Sequence, residues 1–376
     1  MATCWSYLGV RRRGSRLSAN RLAWLLCLPL LAGPGCALFG LTGEQEQAML
    51  DLHRQNAVTY FDAGSYVQAL SQADRALALD DELEDMRLVR GFCLLKLGRA
   101  RGNVALVDEA LVIFQELQPG WLPTWLGGGG KTDPNKAFRV QHGLGKAHLA
   151  RALMHDEAVD ALEKRLNSPY LSGAERPADE ARRQREAEQR DEHLVDAVRA
   201  LQKVLEDPRA DTAYARIDMV LALNAMGGRE QEVLTHGEKA LEQLAESNRT
   251  WRKIARNPNL SPAAALDADL QVDQNIEKER MLRDLLATVH FNRGDIPAYL
   301  AELDRMQARN VMTAVQFYNR AGIHEESGRY PEAISDLESF LRLRARYLDY
   351  EEDDMADETF RRIDALRSKL ARADRT

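Results

Sequence analysis

The run GGGGKT at Gly127–Thr132 has the residue types that hold phosphate: glycine amides to cradle oxygens, a lysine ammonium and a threonine hydroxyl. The full pattern sets a first Gly, four residues, then Gly-Lys-Ser/Thr, and Trp125 occupies the first position. Such a loop must also follow a strand, whereas the preceding VDEALVIFQEL has the three-and-four apolar spacing of a helix. The segment therefore reads as a connector. His142, His148 and His155 are six and seven residues apart and share a helix face only loosely, so a structural or solvated role is expected and no metal. No Gly-x-Ser-x-Gly elbow occurs, and Cys93 lies in the apolar stretch GFCLLKLG, as expected of a buried, unreactive thiol. The acidic cluster YEEDDMADE at Tyr350–Glu358 reads as a solvated helix start, where acids suit the positive end of the dipole. No catalytic residue, no cofactor and no small-molecule substrate follow from these patterns.

The elements that carry these residues read as helices. The chain of 376 residues is rich in Ala, Leu, Glu and Arg, with 6% aromatic and 29% charged residues. Its net charge is −7, and all five arginines of the first 36 residues lie in a segment without acids, so the remainder carries −12. An acidic body repels phosphate backbones, which argues against nucleic acid as a partner.

Internal repeats set the architecture. YFDAGSYVQALSQADRALAL places Tyr60, Gly64, Tyr66, Ala69, Ala73 and Ala76 at the spacing of a helical hairpin. AGIHEESGRYPEAISDLESFLRL repeats it with Gly328, Tyr330, Ala333, Leu337 and Phe340. The glycine ends the first helix, and small alanines let the two helices approach closely. Weaker copies include Gly228–Leu241, Gly294–Met306 and Gly91–Phe114, and Leu144, Gly145 and His148 pair with Ala197 and Leu201 across a long insertion. Unit starts fall near Leu50, Glu84, Arg139, Tyr214, Arg280 and Ala314. This arrangement resembles the tetratricopeptide repeat family, strongest near both ends of residues 45–347, with insertions near 119–137 and 167–190. The resemblance implies an all-α solenoid of helical hairpins and a protein-binding rather than catalytic role. Residues 351–376 close with Phe360, Ile363, Leu366 and Leu370 three to four apart, an amphipathic helix suited to cap the last repeat.

In that family the first helix of each hairpin lines a groove that takes a peptide. Its positions, carried over, are Asp51, Arg54, Val58, Phe61 and Asp62 in the first repeat, and Val315, Tyr318, Gly322, Glu325 and Glu326 in the last. The family's clamp for a terminal carboxylate needs basic residues with Asn, and here Arg54 fits while Val58 stands where Asn is wanted. Arg54, Phe61 and Tyr318 are the preferred partner contacts, because Arg and Tyr dominate many interfaces. Trp121 and Trp125 flank the glycine run and either pack back on the helices or anchor a partner.

The N-terminus reads as an address. Residues 11–36 run from arginines through an apolar stretch of 11 residues, Leu22–Ala32, to small residues ending at Cys36. A spanning helix needs about 20 apolar residues, so a cleaved signal fits better than a permanent anchor. The layout resembles a bacterial lipoprotein signal, which implies lipid on Cys36 and, with Ala37 rather than Asp next, the outer membrane. The pattern's Leu three residues before the cysteine is Gly33 here, and cleavage after Ala37 is the alternative. The combined expectation is a lipid-anchored scaffold of the bacterial cell envelope whose partners are envelope proteins or peptides, in assembly of an outer-membrane or pilus complex. A regulatory subunit or enzyme using the inserted loops is the other reading.

Overall fold

A computed structural model describes residues 43–118, 134–207, 212–345 and 354–373. Among these the fold is all-α. Its helices are α1 (Gly43–Asp62), α2 (Tyr66–Leu79), α3 (Glu84–Arg101), α4 (Val104–Glu116), α5 (Pro134–Leu166), α6 (Arg176–Leu205) and α7 (Ala213–Met226). They continue as α8 (Glu230–Ala255), α9 (Pro262–Asn292), α10 (Ile296–Ala308), α11 (Ala314–Glu326), α12 (Tyr330–Arg344) and α13 (Asp354–Ala373). Met1–Met49 forms one compact unit, of which only the start of α1 is described, and Leu50–Thr376 forms the other.

Within the larger unit the first helix of each pair ends in a turn written into the sequence. Gly64 and Gly328 both adopt φ +71°, where a side chain would be strained. The amide three residues past each helix end folds back, Ser65 N donating to Tyr60 O and Arg329 N to His324 O, both at 2.8 Å. That six-residue closure satisfies carbonyls that a helix end leaves unpaired and reverses the chain in three residues. Two of the second helices, α4 and α10, start on capping side chains: Asn103 accepts from Leu106 N at 3.4 Å and Asp295 from Ala298 N at 3.2 Å. The same device starts α11, where Thr313 and Gln316 cap each other reciprocally.

Burial follows the same spacing. Ala69, Ala73 and Ala76 of α2 are fully buried, as are Ala333 and Leu337 of α12, so the hairpins close over small residues. Consecutive helices pack on one another from α2 through α13, and α3, α5 and α7 also touch directly. These are tetratricopeptide-like hairpins, each resting mainly on its neighbours.

The insertion expected at 167–190 takes the form of a lengthened hairpin. α5 and α6 are 33 and 30 residues long, and the charged first half of α6 lies along the far half of α5. Arg190 pairs with Asp156 at 3.1 Å, Arg183 with Glu163 at 3.2 Å and Arg165 with Asp179 at 2.8 Å. The terminal helix α13 packs on α12 through Ala356, Thr359, Ile363 and Leu366. Phe360, expected in that stripe, instead points outward and is 51% exposed, because Thr359 and Ile363 already fill the inward face one turn apart. No helix among the described residues is long and apolar enough to cross a membrane.

Candidate functional site

The odd-numbered helices bring together charged side chains that lie far apart in sequence. Asp218 of α7 accepts from His142 Nε2 of α5 at 2.8 Å and pairs with Lys146 Nζ at 3.3 Å. Burial alone would raise the Asp218 carboxyl, but Lys146 and His142 hold it well below the usual carboxylate range. Lys278 of α9 sits with its ammonium 3.7 Å from the centroid of the Tyr214 ring of α7, a cation–π contact. Tyr214 in turn donates to Asn275 Oδ1 at 2.7 Å, and Asn275 Nδ2 donates to Ser247 Oγ at 3.2 Å, which fixes the ring beneath the lysine.

Lys96 of α3 completes the group. Its charge and that of Lys146 act on Lys278, and Lys146 and Arg99 act on Lys96. Burial first, and these neighbouring cations second, lower both amines, Lys278 to about 8. Among the described residues neither Lys96 nor Lys278 has a carboxylate within ion-pair distance; both feel only the shared Asp218. A half-buried ammonium without a counterion is costly, and such groups concentrate where ligands bind. Chemically the cluster can hold an anion and orient it. The Cys93 thiol, on the same helix as Lys96, is fully buried and pushed up to about 12 by that burial.

The residues singled out in sequence are distributed elsewhere. Arg54 pairs with Asp85 at 2.8 Å and with Asp51 at 3.9 Å. Phe61 belongs to a row of rings, 5.6 Å from Tyr66 and 6.3 Å from Phe92, which itself lies 5.0 Å from Phe114. Tyr318 lies between Phe340, 5.1 Å away, and the Arg362 guanidinium of α13 at 5.2 Å, so the capping helix occupies its exposed side. Arg362 also binds Glu325 at 2.8 Å, and Gly322 faces the same guanidinium, which accounts for three of the groove positions carried over to the last repeat. Arg54 and Phe61 lie in α1 and Tyr318 in α11, and the structure does not bring them together. Trp121, Trp125 and Cys36 lie outside the described residues.

The histidines form contacts of their own. His148 and His193 meet through Nδ1 atoms at 3.0 Å, His193 stacks on His155 with centroids 5.6 Å apart, and His155 pairs with Glu186 at 2.7 Å. Burial, and then His148, lower His193 to about 4, and burial also lowers His148. Among the described residues no group of three or more His, Cys, Asp or Glu is placed to hold a metal ion.

The lysine cluster was not read from the sequence, although a signal exists. Lys96 interrupts the apolar run GFCLLKLG and Lys146 the small-residue run GLGKAHLA, and a single ammonium in such a stretch is placed on a helix face that packing half covers.

No family model matches the chain, and no curated protein matches it. Among solved structures, the P58(IPK) TPR domain is similar at 15% identity over 85% of this chain and 99% of that one, with a TM-score of 0.21. Yeast Tom70 is similar at 13% identity over 81% of this chain and 78% of that one, with a TM-score of 0.16. Scores of this size carry no argument, and the hairpin architecture rests on the turns and packing described above.

Proposed function

We propose that this chain is a non-catalytic scaffold that receives a protein partner on the side formed by its first helices, α3, α5, α7 and α9. The observation that carries this reading is the joining of three hairpins by polar contacts on that side: His142 and Lys146 of α5 engage Asp218 of α7 at 2.8 and 3.3 Å, and Lys278 of α9 lies 3.7 Å from the Tyr214 ring of α7. Only a stack of hairpins in register assembles such a set. A photo-crosslinking residue at Arg99, exposed beside Lys96, should trap a discrete protein partner, while the same residue at Val112 on the second helix α4 should not. Equal yields from both positions, or none from either, would remove the docking side.

The same reading places the scaffold in a bacterial envelope, anchored by lipid on Cys36 and facing the periplasm, in the assembly of an outer-membrane or pilus complex. Its support is the arginine-rich start, the short apolar run and the small residues before Cys36. Lipid gives about 0.8 kcal/mol of membrane affinity per buried methylene, so acylation converts a polar scaffold into a membrane-held one. A fatty-acid probe fed to a bacterial host should label the wild-type chain and not Cys36→Ser. Equal labelling and membrane retention of both would mean that Cys36 is not the anchor.

A further inference from the structure

We infer that the meeting of His148, His155 and His193 is an acid-sensitive latch at the base of the far half of the α5–α6 hairpin. His148 of α5 and His193 of α6 approach through their Nδ1 atoms at 3.0 Å. At that distance one nitrogen donates and the other accepts, so one ring of the pair has to be neutral, whereas two imidazolium rings would turn both N–H groups toward each other. His193 also stacks on His155 of α5, with centroids 5.6 Å apart and planes 15° from parallel. A second proton on these rings therefore sets like charges face to face across the helix contact. The surrounding charges divide. From α6, Asp196 favours charged rings at both His148 and His193, and Arg199 opposes charge on His148; from α5, Arg151 opposes it on His193. Arg151 also pairs with Asp108 of α4 at 2.7 Å. Glu186 of α6 is engaged by His155 at 2.7 Å and by Arg182 at 4.0 Å. α7 presents Leu221, Ala222, Ala225 and Met226 to the adjoining core.

The latch sits where the hairpin leaves the repeat stack. On its inner side Leu149, Ala152, Leu194 and Ala197 pack with Ala222 of α7, apolar contacts that no proton disturbs. On its far side α5 buries Val159 and Leu162, while α6 buries only Asp179 between Arg176 and His193. The ion pairs there, Asp156 with Arg190, Glu163 with Arg183 and Asp179 with Arg165, each have one partner about half exposed. Exposed pairs hold helices weakly, so the far half is the part of the hairpin that opens locally at least cost. Burial lowers both His148 and His193, the latter to about 4, and in an opened arm each returns toward about 6.5. The open form therefore binds more protons. The latch is at full strength above about pH 6.5 and is lost as pH falls toward about 4.

Hydrogen exchange read by mass spectrometry on the full chain, at about pH 7 and about pH 5 and corrected for the intrinsic exchange rate, tests this. Exposed carboxylates stay ionised at both, so the ion pairs of the far half persist. Peptides from residues 156–166 and 176–190 should lose protection by about tenfold or more at the lower pH, while those from α7 hold. That factor is the preference for the open form given by one histidine whose value rises from about 4 to about 6.5 on opening. His193→Asn and His148→Asn each keep a hydrogen-bonding group in place of a titrating ring, and each should retain most of the far half's protection at the lower pH. The wild-type comparison decides even if a variant fails to fold. Far-half protection that is equal at both pH values, or lost only together with that of α7, overturns the proposal. A loss that persists undiminished in both variants overturns it as well, because another group is then titrating.

Discussion

Replacing Arg320 with alanine should cost about 3–5 kcal/mol of stability, the range for stripping one partner from a buried ion pair. Arg320 of α11 donates through Nε to Asp336 Oδ2 at 2.7 Å and through a terminal nitrogen to Oδ1 at 2.6 Å, a two-pronged contact with α12. Its other nitrogen reaches Asp304 at 2.7 Å, and Gln307 accepts at 2.5 Å, both on α10. Both side chains of the Arg320–Asp336 pair are only 5% exposed, so truncating the arginine leaves a carboxylate buried without its counterion. His324, 3.7 Å from Asp336, is too far to replace a bidentate guanidinium, and burial lowers its pKa. Urea unfolding checks the size of the loss. The paired replacement Arg320→Met with Asp336→Leu should recover most of it, because removing both charges leaves nothing unsatisfied. A single variant within about 0.5 kcal/mol of wild type, the range of an ordinary surface change, would show that the network contributes geometry and no net stability.

Phe114→Ala should cost a similar amount, about 3–5 kcal/mol, by a different route. The ring is fully buried and fills space left by two glycines on neighbouring helices. A Cβ at Gly143 of α5 would lie 2.6 Å from Phe114 Cε1, and one at Gly91 of α3 would lie 2.9 Å from it. Removing the ring leaves a cavity that α3, α4 and α5 can close only by shifting, and Lys96 and Lys146 ride on two of them. The variant should therefore unfold at lower urea with an unchanged slope. Phe114→Leu should lose less. A midpoint unchanged in Phe114→Ala would show that the positions of α3 and α5 are set by other contacts.

The two networks show where sequence reading works and where it stops. Gly64 and Gly328 were legible because a left-handed residue at a helix end is a local requirement that few side chains meet. Ala69 and Ala333 were legible because small residues three and four apart mark a close helix contact. Cys93 was legible for the same reason, since its neighbours in the run are apolar on the buried side. Phe61 and Tyr318 fall at groove positions carried over from the family in the two best-formed repeats, but the structure packs each ring against an internal neighbour, Phe92 and Phe340. Aromatic residues suit interfaces and cores equally, and only the neighbouring helix decides between them.

From the sequence alone follow the helical hairpins, their glycine turns and the small residues where they close. Each depends on residues within a turn or two of one another, where period and backbone conformation act directly. The tertiary structure alone decided that His142 and Lys146 meet Asp218, that Lys278 lies on Tyr214, that His148 faces His193, and that Phe360 points away from the cap. Those outcomes depend on the rotation of each helix about its axis and on its offset along its neighbour. Both are set by the packing of whole faces, such as Phe114 into the gap above Gly91 and Gly143, and a repeat spacing leaves them open.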